Sequence, residues 1–400
     1  MNFIQPILNL GTLGSVSSGK STALLSLTGE KTQRHRSELV RNITIKAGYC
    51  NMKVYQDSSG KYVSSSGKTN FDDMELVHHL SFVDCPGHQQ LTQIMLGQVN
   101  LMAGALAVIS MAENVTTNSQ LIEHLKAAKL AGLEKIIVCL NKCDLVSKED
   151  VIEKHHQTLM LFENIGLPVP LAIIPTSFNK NLNVDFLIKS IIEHFPPEEY
   201  SRKSEEKPFF SVSRSFDINR PGMDILKIKG GVLGGSLVSG RLNVGDTIVI
   251  KPGHIIKNQK TGVVSHIPIK TKIKSIMSEK TSLDNINPGG LMAIMTDINS
   301  NITKSDRMVG NIICLEDDDT IDVVYRLNLK VNFINKHSKI KVKDKIKIQV
   351  GPKCLVGIIE DFKKKSYNIK LSEPVCLKKG TKLYLATNDN KITIIGHALF

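Results

Sequence analysis

Four short stretches in the first half of the chain combine residue types and spacings that suit the binding of a nucleotide. The first runs from Gly14 to Ser21 and reads GSVSSGKS, which matches G-x-x-x-x-G-K-[ST] between a predicted strand and a predicted helix. Its glycines let backbone N–H groups face phosphate oxygens, and the helix start adds partial positive charge. Lys20 would reach the β- and γ-phosphates, and the Ser21 hydroxyl would bind Mg²⁺. The expected nucleotide contacts here are Gly14, Ser17, Ser18, Gly19, Lys20, Ser21 and Thr22.

The second stretch, Asp84-Cys-Pro-Gly87-His88, ends the predicted strand LSFVD. A carboxylate at the end of a strand can hold the metal through water, and Gly87 can offer its backbone N–H to the γ-phosphate. His88 is the candidate for positioning the attacking water, although an exposed or structural histidine stays open. Phosphoryl transfer needs orientation and charge stabilisation more than a strong base. Since no arginine finger is evident, we expect slow hydrolysis that awaits a partner.

The third and fourth stretches select the base. In Asn141-Lys142-Cys-Asp144, the Asp144 carboxylate can accept from N1–H and the exocyclic amine of guanine, a pair that adenine does not offer. Lys142 would pack its stem along the ring. The loop at Ser177 and Phe178 would close its backbone over the guanine oxygen, although an ordinary Ser-capped turn is the common explanation for such a sequence.

One threonine between the first two motifs is a candidate metal ligand. Thr44 lies in RNITIK, where a loop would face the γ-phosphate and could complete the Mg²⁺ shell only when that phosphate is bound. The same residue type also suits an ordinary β-strand, and the local sequence does not separate the two possibilities. We therefore expect Thr44, together with Gly87 and His88, to take part in hydrolysis of the nucleotide.

Composition favours a protein of a reducing compartment with a polyanionic partner. The 400 residues include 51 Lys and Arg against 38 Asp and Glu, and the net charge of +13 suggests nucleic acid, or else only a Lys-rich surface. The 7 cysteines form no C-x-x-C pair, which argues against a disulfide framework and a zinc ribbon. The N-terminus does not resemble a signal peptide, and the longest apolar run, 101–112, is far short of the ~20 residues that span a bilayer. We expect a cytoplasmic protein without membrane contact.

The order of predicted elements indicates an α/β P-loop domain followed by two antiparallel β-barrels. Strands alternate with helices up to about residue 200, which implies a parallel sheet covered on both faces. The polar, Pro-flanked segment 196–208 is typical of a linker, and Gly-rich turns then separate short strands. An acidic run at 316–319 marks a second boundary. We therefore expect domains at 1–203, 204–318 and 319–400.

With these motifs in place, the chain resembles the translational GTPases that carry aminoacyl-tRNA, and most of all the gamma subunits of eukaryotic and archaeal translation initiation factor 2. The most specific markers are NITIK followed by GY and the segment RSFDINRPG at 214–222. Elongation factor Tu is similar in the first domain, but its corresponding loop normally reads R-G-I-T-I. Other matching stretches are ILNLGTLG at 7–14, GKST at 19–22, SFVDCPGH at 81–88, SQLIEHL at 119–125, KGGVLGGSLVSGRLNVGD at 229–246, PGGLMAI at 288–294, DRMVG at 306–310 and SEPVC at 372–376.

The resemblance implies a heterotrimer with alpha and beta subunits that brings initiator methionyl-tRNA to the small ribosomal subunit. It also implies GTP and GDP with Mg²⁺ as ligands, together with a GTPase-activating factor and an exchange factor. Thr44 matches the switch I threonine of the family and His88 the switch II histidine. Tyr49 falls where the family shapes the pocket for the terminal adenosine of the tRNA.

Four departures from the family pattern are visible. The first motif opens Gly14-Ser15-Val16 where the family has G-H-V, and Phe178 stands where Ala normally follows the serine. Residues 52–75 hold no cysteine, so we expect no zinc knuckle there. The third domain is short. An elongation-type carrier of any aminoacyl-tRNA and a GTP-binding scaffold without hydrolysis remain as alternatives, although intact Thr44, Asp84 and His88 argue against the scaffold.

Overall fold

The computed structural model of the chain describes residues 4–32, 47–66, 71–86, 92–199, 205–258, 260–334, 340–388 and 394–400. The chain divides into two compact units, Met1–Arg202 and Lys203–Phe400. The first unit has the alternating strands and helices that the sequence predicts, and the second is built from antiparallel strands, so the predicted fold class is confirmed. The finer boundary near residue 318 stays a prediction.

The first unit contains one sheet and the helices that cover it. Its strands are β1 (Asn9–Leu13), β2 (Gly48–Gln56), β3 (Tyr62–Ser64), β4 (Glu75–Asp84), β5 (Gly104–Ser110), β6 (Ile136–Asn141) and β7 (Ala172–Thr176). The α-helices in its described part are α1 (Lys20–Thr28), α2 (Thr92–Val99), α3 (Ser119–Ala131), α4 (Lys148–Ile165) and α5 (Val184–His194). Short 3₁₀ helices lie at Cys143–Leu145 and Pro197–Glu199.

The sheet is parallel except at one edge. Its order is β3-β2-β4-β1-β5-β6-β7, and β4, β1, β5, β6 and β7 run in one direction. β2 and β3 are antiparallel to their neighbours, which the alternation of strands and helices did not indicate. An antiparallel edge on a parallel sheet is common in α/β folds. The parallel strands bring their C-terminal ends to one edge, which is where the predicted motifs lie.

Hydrophobic residues on both faces of this sheet explain why it is covered on both sides. β5 is buried along its whole length, as expected for a central parallel strand with a continuous apolar sequence. Leu24 of α1 and Leu187 of α5 are fully buried in the same cluster as Phe82 and Leu106 of the sheet. Burial of a side chain of this size stabilises a fold by roughly 1.5–3 kcal/mol. This packing fixes the start of α1 beside the ends of the strands.

Local sequence also sets the helix ends next to the motifs. α1 ends at Gly29, whose left-handed backbone (φ 74°) lets its N–H donate to the Leu25 oxygen. α3 begins after Asn118, whose side chain accepts from the backbone N–H of Leu121 at 3.0 Å. α1 therefore ends, and α3 begins, at a defined residue, which matters because both helices lie beside the loop after β1.

The second unit begins with a closed barrel. Its strands follow the order β11-β16-β8-β9-β15-β12-β13, and an additional pairing of β11 with β12 closes the ring. Phe210, Ile248 and Ile294 are fully buried inside it. The strands are β8 (Phe209–Phe216), β9 (Val232–Ser239), β10 (Leu242–Asn243), β11 (Thr247–Lys257), β12 (Val264–Ser278), β13 (Thr281–Leu283), β14 (Asn285–Ile286), β15 (Gly289–Thr296) and β16 (Ile312–Leu315), with α6 at Ser300–Thr303 and 3₁₀ turns at Ile225–Lys227 and Lys304–Asp306.

A second barrel completes this unit. Its order is β17-β21-β20-β19-β22-β23-β18, and since β18 follows β17 directly along the chain, the two ends of the sheet meet. The strands are β17 (Asp322–Leu329), β18 (Asn332–Phe333), β19 (Lys345–Val350), β20 (Lys353–Lys363), β21 (Ser366–Leu377), β22 (Lys382–Thr387) and β23 (Ile394–Leu399). Inward side chains such as Leu329, Ile348 and Ile369 are fully buried. Within the described ranges, no helix of the chain is long and apolar enough to cross a bilayer.

Candidate nucleotide-binding site

The loop between β1 and α1 is narrow because glycine occupies both of its ends. Gly14 has φ 140° and Gly19 has φ 103°, conformations that other residues rarely adopt. A Cβ at Gly14 would overlap the backbone oxygen of Val108 and lie 2.9 Å from the Ser18 hydroxyl, and one at Gly19 would overlap the Asn141 amide. The backbone can therefore wrap closely around an anion at the start of α1.

One hydroxyl of this loop is buried without a partner of its own. Ser18 is fully buried, and its hydroxyl meets no hydrogen-bonding group among the described residues. A buried hydroxyl left unpaired costs about 1–3 kcal/mol, so this group favours a ligand that brings its own acceptor. The preceding Ser17 has a left-handed backbone (φ 61°), and Thr22 is half-buried in the first turn of α1. A phosphate oxygen would satisfy the Ser18 hydroxyl.

Lys20 lies inside the loop rather than in solvent. Its Nζ donates to the backbone oxygens of Gly14 at 3.0 Å and Ser15 at 2.6 Å. Burial lowers the pKa of Lys20 from 10.5 to about 8, and the negative charge of Asp84 partly offsets this effect. The ammonium is thus still charged at neutral pH and is held where phosphates would replace the two carbonyl oxygens.

Three hydroxyls converge on the Asp84 carboxylate at the end of β4. Ser21 and Thr32 donate to the same oxygen, Oδ2, at 2.8 and 2.6 Å, and Thr12 donates to Oδ1 at 3.1 Å. Asp84 is fully buried, and a buried carboxylate is tolerated only when its oxygens accept hydrogen bonds in this way. Strand β4, helix α1 and the chain after α1 therefore meet at one charged group.

The pair formed by Ser21 and Asp84 fits a magnesium ion. Both side chains offer oxygen, which Mg²⁺ prefers, and Mg²⁺ usually takes only one or two protein ligands beside phosphates and water. In the described part of the chain, no three His, Cys, Asp or Glu side chains come together. A metal at Ser21 and Asp84 would need the oxygens of a bound phosphate.

Thr32 is a member of this site that the sequence did not reveal. It is buried, and Gly48 of β2 leaves room for it, since a Cβ at Gly48 would lie 2.8 Å from the Thr32 Cβ. Threonine outside a motif carries no signal of its own in a single sequence. Thr32 directly precedes the segment 33–46, and that segment contains Thr44.

Asn141, at the end of β6, joins two of the predicted motifs. Its amide nitrogen donates to the Ser18 backbone oxygen at 2.8 Å, and its side-chain oxygen accepts from the Phe178 backbone N–H at 3.3 Å. Asn141 is buried, so both bonds are shielded from water. It therefore positions the phosphate loop relative to the loop after β7, and the neighbouring Lys142 has a left-handed backbone (φ 66°) that starts the 3₁₀ turn carrying Asp144.

Asp144 is held as an ionised carboxylate in a half-buried position. A hydrogen bond from the Ser177 hydroxyl lowers its pKa, and the charge of Lys180 acts in the same direction. Lys180 Nζ lies 3.7 Å from Asp144 Oδ2, and 15% of the Asp144 side chain is exposed. An ionised carboxylate is an acceptor only, so Asp144 has the chemistry to pair with a base edge that presents two donors, as guanine does.

The structure explains why phenylalanine is accommodated at position 178. The Phe178 ring is buried in the main hydrophobic cluster of the first unit, while its backbone N–H faces Asn141. The loop is closed by reciprocal backbone bonds between Ser177 and Leu182, at 3.0 and 3.3 Å. The departure from the family pattern thus changes the core, while the backbone N–H groups of Ser177 and Phe178 are paired with Leu182 and Asn141.

Helix α3 contributes further contacts that sequence reasoning missed. The backbone N–H of Gly14 donates to Nδ1 of His124 at 3.3 Å, and that of Val16 donates to Gln120 at 3.0 Å. The Ser15 hydroxyl, which stands where the family has histidine, donates to Glu113 at 3.1 Å. Gln120 and His124 are four residues apart on one helix face, a polar pair on an otherwise apolar side, and that pattern is the signal that could have found them.

His124 is neutral in this arrangement. Burial, together with the charge of Lys20, lowers the pKa of His124 to about 3. A neutral imidazole can accept at Nδ1, which the bond from Gly14 requires. A protonated ring would instead place a second positive charge beside Lys20 and could not accept the bond from Gly14. The neutral state therefore preserves the contact between His124 and the loop after β1.

The remaining predicted residues divide between described and undescribed parts of the chain. Tyr49 is half-buried on β2, opposite Val83 of β4. Thr44, Gly87 and His88 lie outside the described residues, so their roles in hydrolysis stay predictions.

Two family models match the chain. The elongation factor Tu GTP binding domain covers residues 5–197, and the C-terminal domain of initiation factor eIF2 gamma covers residues 319–398. The first range contains all four nucleotide-binding motifs, and this family match establishes guanine-nucleotide binding.

Curated relatives match along nearly the whole chain. The subunit gamma of eukaryotic translation initiation factor 2 from Encephalitozoon cuniculi is 34% identical over 98% of this chain and 92% of its own length. The subunit gamma of translation initiation factor 2 from Archaeoglobus fulgidus is 34% identical over 95% and 91%, and that from Thermoplasma volcanium is 34% identical over 99% and 97%.

Solved structures show the same fold. A bacterial selenocysteine-specific elongation factor, EF-Sec, superposes with a TM-score of 0.74 at 21% identity, covering 98% of this chain and 58% of that one. Elongation factor SelB from Methanococcus maripaludis, solved with a GTP analogue, has a TM-score of 0.71 at 20% identity and covers 100% and 79%. Full-length identity to the initiation-factor relatives, together with the two family models, decides the assignment: the chain belongs to the gamma subunits of translation initiation factor 2, a family of translational GTPases that hydrolyse GTP.

Proposed function

We propose that this chain binds initiator methionyl-tRNA when GTP is bound and delivers it to the small ribosomal subunit. The observation that carries the proposal is the convergence on Asp84, where Ser21 of the phosphate loop and Thr32 bond to one oxygen. Thr32 directly precedes the segment 33–46, which contains Thr44, and Tyr49 on β2 is the third residue after that segment. The chain from Thr32 to Tyr49 therefore connects the phosphate site with the residue that the family resemblance associates with the tRNA end.

In the GTP-bound protein, Lys20 and the Ser18 hydroxyl bind the phosphates. Ser21 and Asp84 would hold Mg²⁺, and the ion would neutralise charge on the bound phosphates. Thr44 would serve as a further metal ligand when GTP is bound, Gly87 would offer its N–H to the γ-phosphate, and His88 would orient the attacking water.

Partners set the rate of the cycle. The tethering of the loop by Asn141, His124 and Gln120 supports slow nucleotide release, which an exchange factor would accelerate. The family resemblance implies an activating factor, and we infer that hydrolysis is slow until that factor binds. Alpha and beta subunits complete the heterotrimer, since the relatives are named as subunits of a larger factor.

Retention of charged tRNA tests the proposal. The chain, assembled with its alpha and beta subunits, is saturated with a GTP analogue and offered initiator or elongator methionyl-tRNA. We expect strong preference for the initiator, and weaker retention by Tyr49→Ala than by the matched control Tyr49→Phe, which keeps the ring.

The fold shared with elongation factors favours one second candidate, an elongation-type carrier of any aminoacyl-tRNA. Equal retention of the two methionyl-tRNAs would support that candidate and exclude the initiation role. A protein that binds GTP and tRNA but never forms GDP, even with ribosomal subunits and the activating factor, would instead be a scaffold.

A further inference from the structure

Three successive residues at the start of the loop after β1 are each held by a side chain from the stretch 113–124, which includes the start of α3. The Gly14 N–H donates to His124 at 3.3 Å, the Ser15 hydroxyl to Glu113 at 3.1 Å and the Val16 N–H to Gln120 at 3.0 Å. The other half of the loop is attached elsewhere, by the bond from Asn141 to the Ser18 backbone oxygen. The two halves of the loop therefore have separate attachments.

The bond between Ser15 and Glu113 differs from the other two because its acceptor is a carboxylate. Hydrogen bonds in which one partner is ionised are roughly twice as strong as those between neutral groups. Ser15 is buried and Glu113 is half-buried, so the bond is partly shielded from water. Of the three attachments, we expect this one to contribute most to the position of the loop.

Glu113 is itself fixed from three directions. Its carboxylate oxygen Oε2, which accepts from Ser15, also accepts from the Asn118 amide at 2.6 Å. Asn118 caps α3, and the Glu113 backbone oxygen accepts from Nζ of Lys154 on α4 at 2.8 Å. The Glu113 N–H donates to the Ser110 oxygen, at the end of β5, at 3.2 Å. A carboxylate held in this way offers the loop an acceptor at a fixed position.

Ser15 matters for the nucleotide because Lys20 is anchored beside it. The Lys20 ammonium donates to the backbone oxygens of Ser15 at 2.6 Å and of Gly14 at 3.0 Å. The Gly14 oxygen belongs to the same peptide group as the Ser15 nitrogen, so a shift of Ser15 would move both acceptors and, with them, the charge that meets the phosphates. Burial lowers the pKa of Lys20, and the charge of Glu113 is among those that offset this effect.

We propose that Glu113 is a positioning residue for the bound nucleotide. Through Ser15 it holds the first half of the phosphate loop in the narrow shape that retains GDP, without touching the nucleotide itself. Changes within one binding site alter dissociation more than association, so this contact acts on the rate of GDP release. A role in capping α3 alone would require the bond to Asn118 but not the bond to Ser15.

This inference rests on guanine-nucleotide binding and not on the proposed tRNA-carrying function. The family pattern has histidine at the position of Ser15, so that pattern does not contain the pair formed with Glu113. GDP release is measured without tRNA. Failure of nucleotide-dependent tRNA retention would leave the predicted release rates intact, and unchanged release rates would leave the tRNA proposal standing.

The test measures the dissociation of a fluorescent GDP analogue from the full chain after addition of excess unlabelled GDP. Glu113→Ala and Ser15→Ala each remove the bond, and we expect each to accelerate release about tenfold. Glu113→Gln keeps an acceptor in the same place and should stay within about threefold of the wild type. Glu134→Ala is the matched control, because it removes one exposed carboxylate ahead of β6, at the opposite end of that strand from Asn141. Its release rate should equal that of the wild type.

A double variant separates the positioning role from a structural one. If Ser15 and Glu113 act through one bond, Ser15→Ala/Glu113→Ala should release GDP no faster than either single variant. Multiplied effects in the double variant would show two independent roles and overturn the proposal. Normal release by Ser15→Ala would reduce Glu113 to the capping of α3, which contradicts the proposal equally.

The association rate of the same GDP analogue guards against misfolding. A folded variant that only positions the loop poorly should bind the analogue within about threefold of the wild-type rate. An association rate that falls in Glu113→Ala as much as the release rate rises would indicate general damage to the site and count against the proposal. Release by Glu113→Gln as fast as by Glu113→Ala would assign the effect to charge and refute the role of the hydrogen bond.

Discussion

Thr32 donates its hydroxyl to the Asp84 carboxylate at 2.6 Å, on the same oxygen that accepts from Ser21 at 2.8 Å. This shared oxygen connects the phosphate loop, the end of β4 and the chain that leads to Thr44. In a bound state, a magnesium ion at Ser21 would be separated from Thr32 by one carboxylate. Groups that orient a metal-binding carboxylate in this way commonly control metal affinity without touching the metal.

Thr32→Val removes this hydroxyl and keeps the shape of the side chain. We expect the Mg²⁺ concentration that slows GDP release by half to rise about tenfold, since Asp84 is no longer held by Thr32. We also expect the free energy of unfolding to fall by about 1–2 kcal/mol, because a hydrogen bond to a buried charge is lost. Release of a fluorescent GDP analogue across a Mg²⁺ titration measures the first effect.

Thr32→Ser is the matched control, since it retains the hydroxyl and loses only a methyl group. It should restore the Mg²⁺ dependence of the wild type. A valine variant with normal Mg²⁺ dependence would show that the Thr32 bond stabilises the fold only.

Asp144→Asn should exchange GTP for XTP. Asparagine cannot accept both guanine donors, but its amide can donate to the extra oxygen of xanthine. We expect GTP affinity to fall by at least about 100-fold, because the charge is removed and at least one of two hydrogen bonds, each worth roughly 1.5–3 kcal/mol, is lost. Competition binding with the two nucleotides measures the change. Ser177→Ala, which removes only the hydroxyl that orients Asp144, should weaken GTP about fivefold without any gain in XTP. Unchanged GTP affinity in Asp144→Asn would refute the assignment of Asp144.

Phe178→Ala separates stability from nucleotide binding. The ring fills the core, so its removal should lower the free energy of unfolding by about 3–5 kcal/mol. The backbone N–H that bonds to Asn141 is retained, and GDP affinity of the folded variant at low temperature should stay within about threefold of wild type, a difference below 1 kcal/mol. Chemical denaturation and GDP titration are the two measurements, and Phe178→Leu should show a smaller stability loss with the same affinity. A large affinity loss at unchanged stability would place the ring at the nucleotide.

Nucleotide binding should take up a proton at Lys20 in mildly alkaline solution. Burial lowers the pKa of Lys20 to about 8 in the free protein, and phosphates would raise it again. Binding therefore needs no proton below pH 7, takes up about half a proton near pH 8, and weakens as pH rises further, by up to about tenfold per pH unit. Calorimetry of GDP binding in two buffers of different ionisation enthalpy counts the protons. Zero uptake from pH 6.5 to 9 would contradict the burial of a charged Lys20.

The parts of the site that lie within one motif could be predicted from the sequence. Asp84 and Asn141 end strands whose apolar runs are clear, Gly14 and Lys20 lie just after another, and parallel strands bring their ends to one edge. The chemistry of each motif is contained in a few neighbouring residues, so a single sequence displays it.

The contacts that join the motifs could not be predicted in the same way. Thr32, Gln120 and His124 act on the loop from other elements, and only the folded chain shows which side chains they meet. The burial of Phe178 and the antiparallel edge formed by β2 likewise depend on tertiary packing, which local patterns do not encode.

The central claim is that the bound nucleotide controls the affinity for initiator methionyl-tRNA. The most direct test measures the dissociation constant of this tRNA for the assembled factor with a GTP analogue and with GDP, in the same buffer and at the same salt concentration. We predict binding at least about tenfold tighter with the GTP analogue, which corresponds to 1.4 kcal/mol of coupling. Equal dissociation constants in the two nucleotide states would contradict the account.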